Sequence, residues 1–96
     1  MSLFFAVHTH SADNCPAKDP TQGNYLLEHL SPANARSHGV KILADAVLDG
    51  KHTFNLVLEA EDESSLRSYL APFEQAGTLE ITPASHCETV VNRKGC

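Results

Sequence analysis

The segment from Val40 to Ala60 constrains the fold most, because it contains two alternating runs separated by a turn signal. Every second residue from Val40 to Leu48 is apolar, and so is every second residue from Phe54 to Leu58. This period of two is typical of β-strands, although alanine and leucine also favour helices. The Asp49-Gly50 dipeptide between the runs favours a hairpin turn. We therefore predict two strands, Val40–Leu48 and His52–Ala60.

Helical patterns lie on both sides of this hairpin. Asp19 and Pro20 suit the start of a helix with a leucine stripe, and Ser31-Pro32 starts a second short helix that Gly39 closes. After the hairpin, Asp62 suits an N-cap and Gly77 an end. The helix between them carries the clearest apolar stripe of the chain: Leu66, Tyr69, Leu70 and Phe73.

Two further β-prone segments, Leu3–His10 and Thr78–Ala84, complete the order βαββαβ. This order predicts an α+β, ferredoxin-like fold, in which both helical segments cover one face of an antiparallel sheet. We expect one domain over residues 1–96, with a core at about 3–84 and an irregular tail at 85–96.

Alternation assigns side chains to the two faces of this sheet. The first strand is predicted to direct Leu3, Phe5 and Val7 towards the helices. His8 and His10 then fall on the opposite, open face, which is too apolar to face water without a partner.

Composition excludes several functional classes. The chain has 96 residues, a formal charge of −5 and only seven scattered basic residues, so we expect no nucleic-acid partner. Its longest apolar run, Leu3–Val7, is far shorter than the about 20 residues of a membrane span, and no secretory signal is evident. We therefore predict no membrane partner and a cytoplasmic location.

Four segments resemble a family of short bacterial proteins of unknown function: Gly39–Leu43, Phe54–Asp62, Ser65–Phe73 and Leu79–Pro83. That family is similar to the dimeric α/β-barrel superfamily, in which two ferredoxin-like subunits join their open sheet faces. The resemblance implies the same fold and a homodimer, with room for a small-molecule ligand in the barrel. It implies no single reaction, because the superfamily includes cofactor-free oxygenases, isomerase-like enzymes, haem proteins and ligand-sensing domains. Asp13–Pro16 and the tail lie outside the resemblance.

Six histidines and three cysteines are the residues best suited to carry chemistry. His8 and His10 are two positions apart on a predicted strand, which places both imidazoles on one face about 7 Å apart at the backbone. Cys15, in the following loop, could fold back as a third ligand. A His₂Cys set suits zinc with an open fourth position, or copper or iron in another geometry.

His86 and Cys87 are further candidate metal ligands near the end of the last strand. If that strand runs antiparallel to the first, His86 lies about 20 Å from His8 in the same subunit. It reaches the first group only across a dimer or if the tail folds back over the barrel mouth.

Three functions remain open at this point. The first is a homodimer with a transition-metal site at the barrel mouth, built from His8, His10, Cys15, His86 and Cys87. The second is a cofactor-free oxygenase- or isomerase-like enzyme that uses a barrel histidine as general base on a small organic molecule. The third is a non-catalytic ligand-binding module.

Overall fold

A computed structural model describes all 96 residues as four strands, five short helices and two 3-10 turns. The elements in chain order are β1 (Ser2–Thr9), the 3-10 turns Ala12–Asn14 and Pro16–Lys18, α1 (Pro20–His29), α2 (Pro32–Ser37), β2 (Val40–Leu48), β3 (Thr53–Ala60), α3 (Glu63–Tyr69), α4 (Ala71–Ala76), β4 (Thr78–Ala84) and α5 (Cys87–Asn92).

The four strands form one antiparallel sheet in the order β2-β3-β1-β4. This order and the helices between the strands confirm the predicted ferredoxin-like fold. His8 lies opposite Phe54 of β3 and Leu79 of β4, so it occupies the centre of the sheet near one end. A bulge between Ile42 and Ala44 shifts the alternation of β2.

Side-chain caps start three of the helices where the sequence predicts. Asp19 accepts a hydrogen bond from the Thr21 backbone N–H, Ser31 from that of Asn34, and Asp62 from that of Ser65. The segment after Asp62 is predicted as one helix but forms two, α3 and α4, which meet at Leu70. Pro72 explains the break, since proline has no N–H to continue the hydrogen-bond ladder of α3.

The core lies between the sheet and the helices. The predicted stripe of α3 and α4 is fully part of it, and Leu66, Tyr69 and Leu70 have no exposed surface. From the sheet, β3 contributes every second residue, namely Phe54, Leu56, Leu58 and Ala60.

The predicted orientation of β1 is wrong. Phe4, Ala6 and His8 are buried against the helices, whereas Phe5 is 36% exposed on the open face. Both alternate sets of this strand are largely apolar, so its own pattern does not distinguish the faces. Pairing with β3 decides the orientation, because Phe4, Ala6 and His8 lie directly opposite the buried Leu58, Leu56 and Phe54.

The C-terminal segment also differs from the expected irregular tail, since Cys87–Asn92 forms the short helix α5. None of its residues is buried, which explains why it has no apolar period in the sequence. The longest helix, α1, has 10 residues, and no helix has the length and apolar character required to cross a bilayer.

Candidate functional site

A pocket of about 320 Å³ lies at the end of the sheet where β1 finishes. Its apolar wall comes from α1, β3 and α4, with Leu26, Leu30, Phe54 and Phe73. The polar side chains that face it are His8, His10, Cys15 and His52 together with two carboxylates of β2 and the hairpin. This arrangement of a few polar groups in an apolar cavity is typical of a small-molecule site.

His8 is the one polar residue of the buried core, with 4% of its surface exposed. Its Nδ1 atom lies 3.0 Å from the backbone carbonyl oxygen of Thr78, the first residue of β4. Gly77 permits this approach of β4, because a Cβ atom there would overlap the carbonyl group of Thr9. The ring of Phe73 packs against His8 with its centroid 5.1 Å away.

The hydrogen bonds of His8 fix the proton positions on both His8 and His10. A carbonyl oxygen only accepts, so Nδ1 of His8 carries the proton and donates to Thr78. In the neutral ring, Nε2 of His8 then accepts a hydrogen bond from Nδ1 of His10, at 3.2 Å. The remaining atom, Nε2 of His10, keeps a free lone pair, and it is buried without a hydrogen-bond partner.

The surroundings keep both imidazoles neutral at physiological pH. Burial lowers the pKa of His8 below the usual 6.5, against a smaller opposing effect of the Thr78 carbonyl. Burial also lowers the pKa of His10, and the nearby His8 and His52 lower it further by charge repulsion. A neutral imidazole with a free lone pair can bind a metal ion or accept a proton.

His10, Cys15 and His52 form a cluster whose ligand atoms all lie within 4.8 Å of one another. In tetrahedral zinc sites, bonds of about 2.0–2.3 Å place neighbouring ligand atoms about 3.3–3.8 Å apart, so a small contraction would close the cluster on an ion. Cys15 lies between the two 3-10 turns and is partly exposed.

His52 joins this cluster through the turn between β2 and β3. It has a φ angle of 48°, in the left-handed region that non-glycine residues rarely adopt. Its carbonyl oxygen accepts a hydrogen bond of 3.1 Å from the His10 backbone N–H, and the two imidazole centroids are 5.2 Å apart. The sequence alone assigns no role to His52. The antiparallel pairing of Thr9 with Thr53 was the signal that could have found it, because it places residue 52 beside residue 10.

The structure separates the predicted metal ligands into two groups. His8, His10 and Cys15 line one pocket, and this pocket lies on the helix-covered face of the sheet and not on the open face. His86 and Cys87 follow the opposite end of β4, since Ala84 pairs with Leu3 while Leu79 pairs with His8. Five residues of strand separate these positions by about 17 Å. The tail forms α5 and does not extend over the pocket.

The sequence pattern of a domain of unknown function, DUF3303, matches residues 5–93. The chain belongs to the DUF3303 family. The match includes Cys15 and the whole of α5, which the predicted resemblance left out. No curated protein is significantly similar in sequence.

Among solved structures, a candidate antibiotic biosynthesis monooxygenase from Deinococcus radiodurans is similar to this DUF3303 protein, with a TM-score of 0.51. The two chains are 17% identical, and the similarity covers 90% of this chain and 92% of the other. At this identity the comparison supports the ferredoxin-like fold and carries no information on the reaction.

Proposed function

We propose that this DUF3303 protein binds a transition-metal ion through His10, His52 and Cys15. The observation that carries the proposal is the buried Nε2 atom of His10, which has no hydrogen-bond partner, in a residue that forms a cluster of three potential ligands with Cys15 and His52. A buried nitrogen without a partner is costly, and a bound ion would satisfy it.

In this proposal His8 is a positioning residue and not a ligand. Metal-binding histidines usually donate their second N–H to a fixed acceptor, which sets the orientation and the tautomer of the ring. His8 supplies that acceptor for His10, and Thr78 in turn fixes the tautomer of His8. The two histidines of the predicted pair therefore have different roles.

The proposed ligand set contains two imidazoles and one thiolate, which leaves a tetrahedral ion one open position. Zinc suits this set as a Lewis acid, and copper or iron suit it in other geometries. The apolar pocket adjoins the cluster, so the open position would be available to a small molecule.

Elemental analysis of untagged protein by inductively coupled plasma mass spectrometry tests the proposal, with the chain concentration determined independently. We expect close to one ion per chain in the wild type. The variants His10→Ala, His52→Ala and Cys15→Ser should lose it. Cys87→Ser is the matched control, because Cys87 is an exposed cysteine at the other end of the sheet. A wild type that binds no metal, or a His10→Ala variant that retains it, would contradict the proposal.

A second candidate is a cofactor-free enzyme in which His10 acts as general base. The fixed tautomer supports it, because Nε2 of His10 can accept a proton from a molecule in the pocket and its lowered pKa keeps it unprotonated at neutral pH. The oxygenase- or isomerase-like reaction that the family resemblance implies is the first to examine. A chelator-treated protein that still turns over an organic substrate, and loses this activity in His10→Ala, would favour this candidate over the metal site.

We also propose that the open sheet face mediates a homodimer. Phe5 and Val57 are paired across β1 and β3 on this face, and Phe5 is 36% exposed. A second copy of the sheet would bury them. Light scattering after size-exclusion chromatography should give twice the chain mass, and Phe5→Asp should give a monomer. A monomeric wild type would contradict the dimer without affecting the metal site, which one chain supplies completely.

A further inference from the structure

We infer that the molecule that completes this site is apolar and uncharged and carries a donor atom for the open metal position. This inference rests on the proposed metal site and adds the class of its ligand. Three properties of the pocket support it: its apolar rim, the charges that line it and its size.

The rim of the pocket consists of apolar side chains that the fold leaves in water. Leu27 is 71% exposed, Val47 is 62% exposed and Leu48 is 42% exposed, and all three line the pocket. Leu27 comes from α1, and Val47 and Leu48 come from the end of β2. The bulge at Leu43 shifts the alternation of β2, so that Val47 lies on the helix-covered side. An apolar ligand would remove this surface from water, which is the main source of affinity in such sites.

The charged groups around the pocket select against anions. Asp45 and Asp49 line it, and no lysine or arginine does. A carboxylate ligand would be attracted by the metal ion, but it would also meet these two like charges, and no basic side chain of the pocket would offset their repulsion. A cationic donor is equally unsuitable, since it would approach a bound metal ion. An uncharged donor avoids both repulsions.

The size of the pocket limits the ligand further. Its volume of about 320 Å³ is at the lower end of the range for small-molecule sites, about 300–1,000 Å³. Phe54 and Phe73, with ring centroids 5.7 Å apart, form part of its wall and suit contact with another ring. A molecule of one or two rings fits these limits.

Three probes of different charge and apolar area test the inference on Co²⁺-loaded protein at about pH 8, where imidazoles are largely uncharged. The probes are imidazole, 4-phenylimidazole and benzoate, and the visible d–d spectrum of Co²⁺ reports their coordination. We expect 4-phenylimidazole to bind at least about 10-fold more tightly than imidazole, because its phenyl ring is buried in the pocket. Benzoate should bind more weakly than 4-phenylimidazole.

Val47→Asp should remove the advantage of the phenyl ring while the Co²⁺ spectrum of the ligand-free site is retained. Val91→Asp is the matched control, because Val91 is 66% exposed on α5, away from the pocket, and it should change nothing. Equal affinities for imidazole and 4-phenylimidazole, or tighter binding of benzoate, would overturn the inference and leave the metal site intact. Failure to bind Co²⁺ would overturn the metal site itself. Calorimetric titration of that metal-free protein with the same probes would then decide whether the pocket prefers apolar, uncharged molecules.

Discussion

Two groups of histidines occupy different regions of the molecule, and they differ in how their ring nitrogens are paired. The pocket histidines are His8, His10 and His52, at the end of β1 and in the turn before β3. The helix histidines are His29 and His38, at the ends of α1 and α2. Both groups are partly stacked on aromatic neighbours, so proximity to rings does not distinguish them.

The helix histidines bond mainly to the backbone. Nε2 of His29 donates to the Tyr69 carbonyl oxygen at 2.7 Å, and the Tyr69 hydroxyl donates to the His29 carbonyl oxygen at 2.9 Å. The Asn34 amide donates to Nδ1 of His29, and Nδ1 of His38 donates to the Asn34 carbonyl oxygen. These bonds join the end of α1 to α2 and α3. We therefore interpret this group as structural.

In the pocket group, Nε2 of His10 has a free lone pair. In the helix group, both ring nitrogens of His29 are hydrogen-bonded. His10 ends a chain of hydrogen bonds that begins at the Thr78 carbonyl, and its Nε2 atom is buried without a partner in a residue clustered with a thiol and a third imidazole. A residue that only stabilises the fold gains by pairing all of its buried polar atoms. The comparison indicates that a free buried lone pair, and not the number of histidines, marks the functional group.

The largest expected effect is a difference in Zn²⁺ affinity between a variant of the pocket group and a variant of the helix group. His10→Ala removes a proposed ligand and should weaken Zn²⁺ binding by more than the about 10- to 100-fold that is typical when only the partner of a ligand is lost. His29→Ala is the control from the other group and should leave the affinity unchanged. Competition with a chromophoric chelator measures both. Equal losses in the two variants would remove the distinction between the groups.

The next effect tests whether His8 acts through His10. His8→Phe retains the packing against Phe73 but removes the acceptor for Nδ1 of His10, so Zn²⁺ affinity should fall by about 10- to 100-fold. His8→Gln offers an amide oxygen to His10 and an amide N–H to Thr78, so it should restore part of the loss. Direct ligation by His8 would instead make the glutamine variant as weak as the phenylalanine variant.

Much of this arrangement could be predicted from the sequence, because strong local signals determined it. Alternation and Asp49-Gly50 gave the hairpin, and the caps Asp19, Ser31 and Asp62 gave the helix starts. The spacing of His8 and His10 correctly placed both side chains on one face.

The face of the sheet on which His8 and His10 lie, and the presence of His52 in the cluster, could not be predicted from local sequence signals. β1 is apolar on both sides, so its orientation depends on long-range pairing with β3. His52 enters the cluster through the same pairing and through a left-handed turn residue, neither of which has a local signature. Register of the central strands was therefore the missing information in both cases.

A smaller effect concerns the stability of the helix group. His29→Ala leaves the buried Tyr69 carbonyl without its donor and removes the acceptor for Asn34, so the free energy of unfolding should fall by about 1–3 kcal/mol. Urea unfolding followed by circular dichroism measures this change. A neutral result would mean that these hydrogen bonds do not hold α1 against α3.

The smallest effect concerns the reciprocal hydrogen bond of Tyr69. Tyr69→Phe keeps the ring, which has no exposed surface, and removes only the hydroxyl that donates to His29. We expect a loss of about 1 kcal/mol in the free energy of unfolding. Tyr25→Phe is the matched control, because Tyr25 is 58% exposed, and it should change stability by less than about 0.5 kcal/mol.

Alkaline pH distinguishes loss of this hydrogen bond from a general change in packing. Burial raises the pKa of Tyr69 from 10.0 to about 12, so between these values the unfolded chain releases a proton that the folded chain retains. The wild type should therefore lose stability as the pH rises from about 10 to about 12, and Tyr69→Phe should lose less over the same range. Equal decreases in the free energy of unfolding of both proteins would show that the Tyr69 hydroxyl is not held neutral in the core. The structural interpretation of His29 would then lose the support of its hydrogen bond with Tyr69.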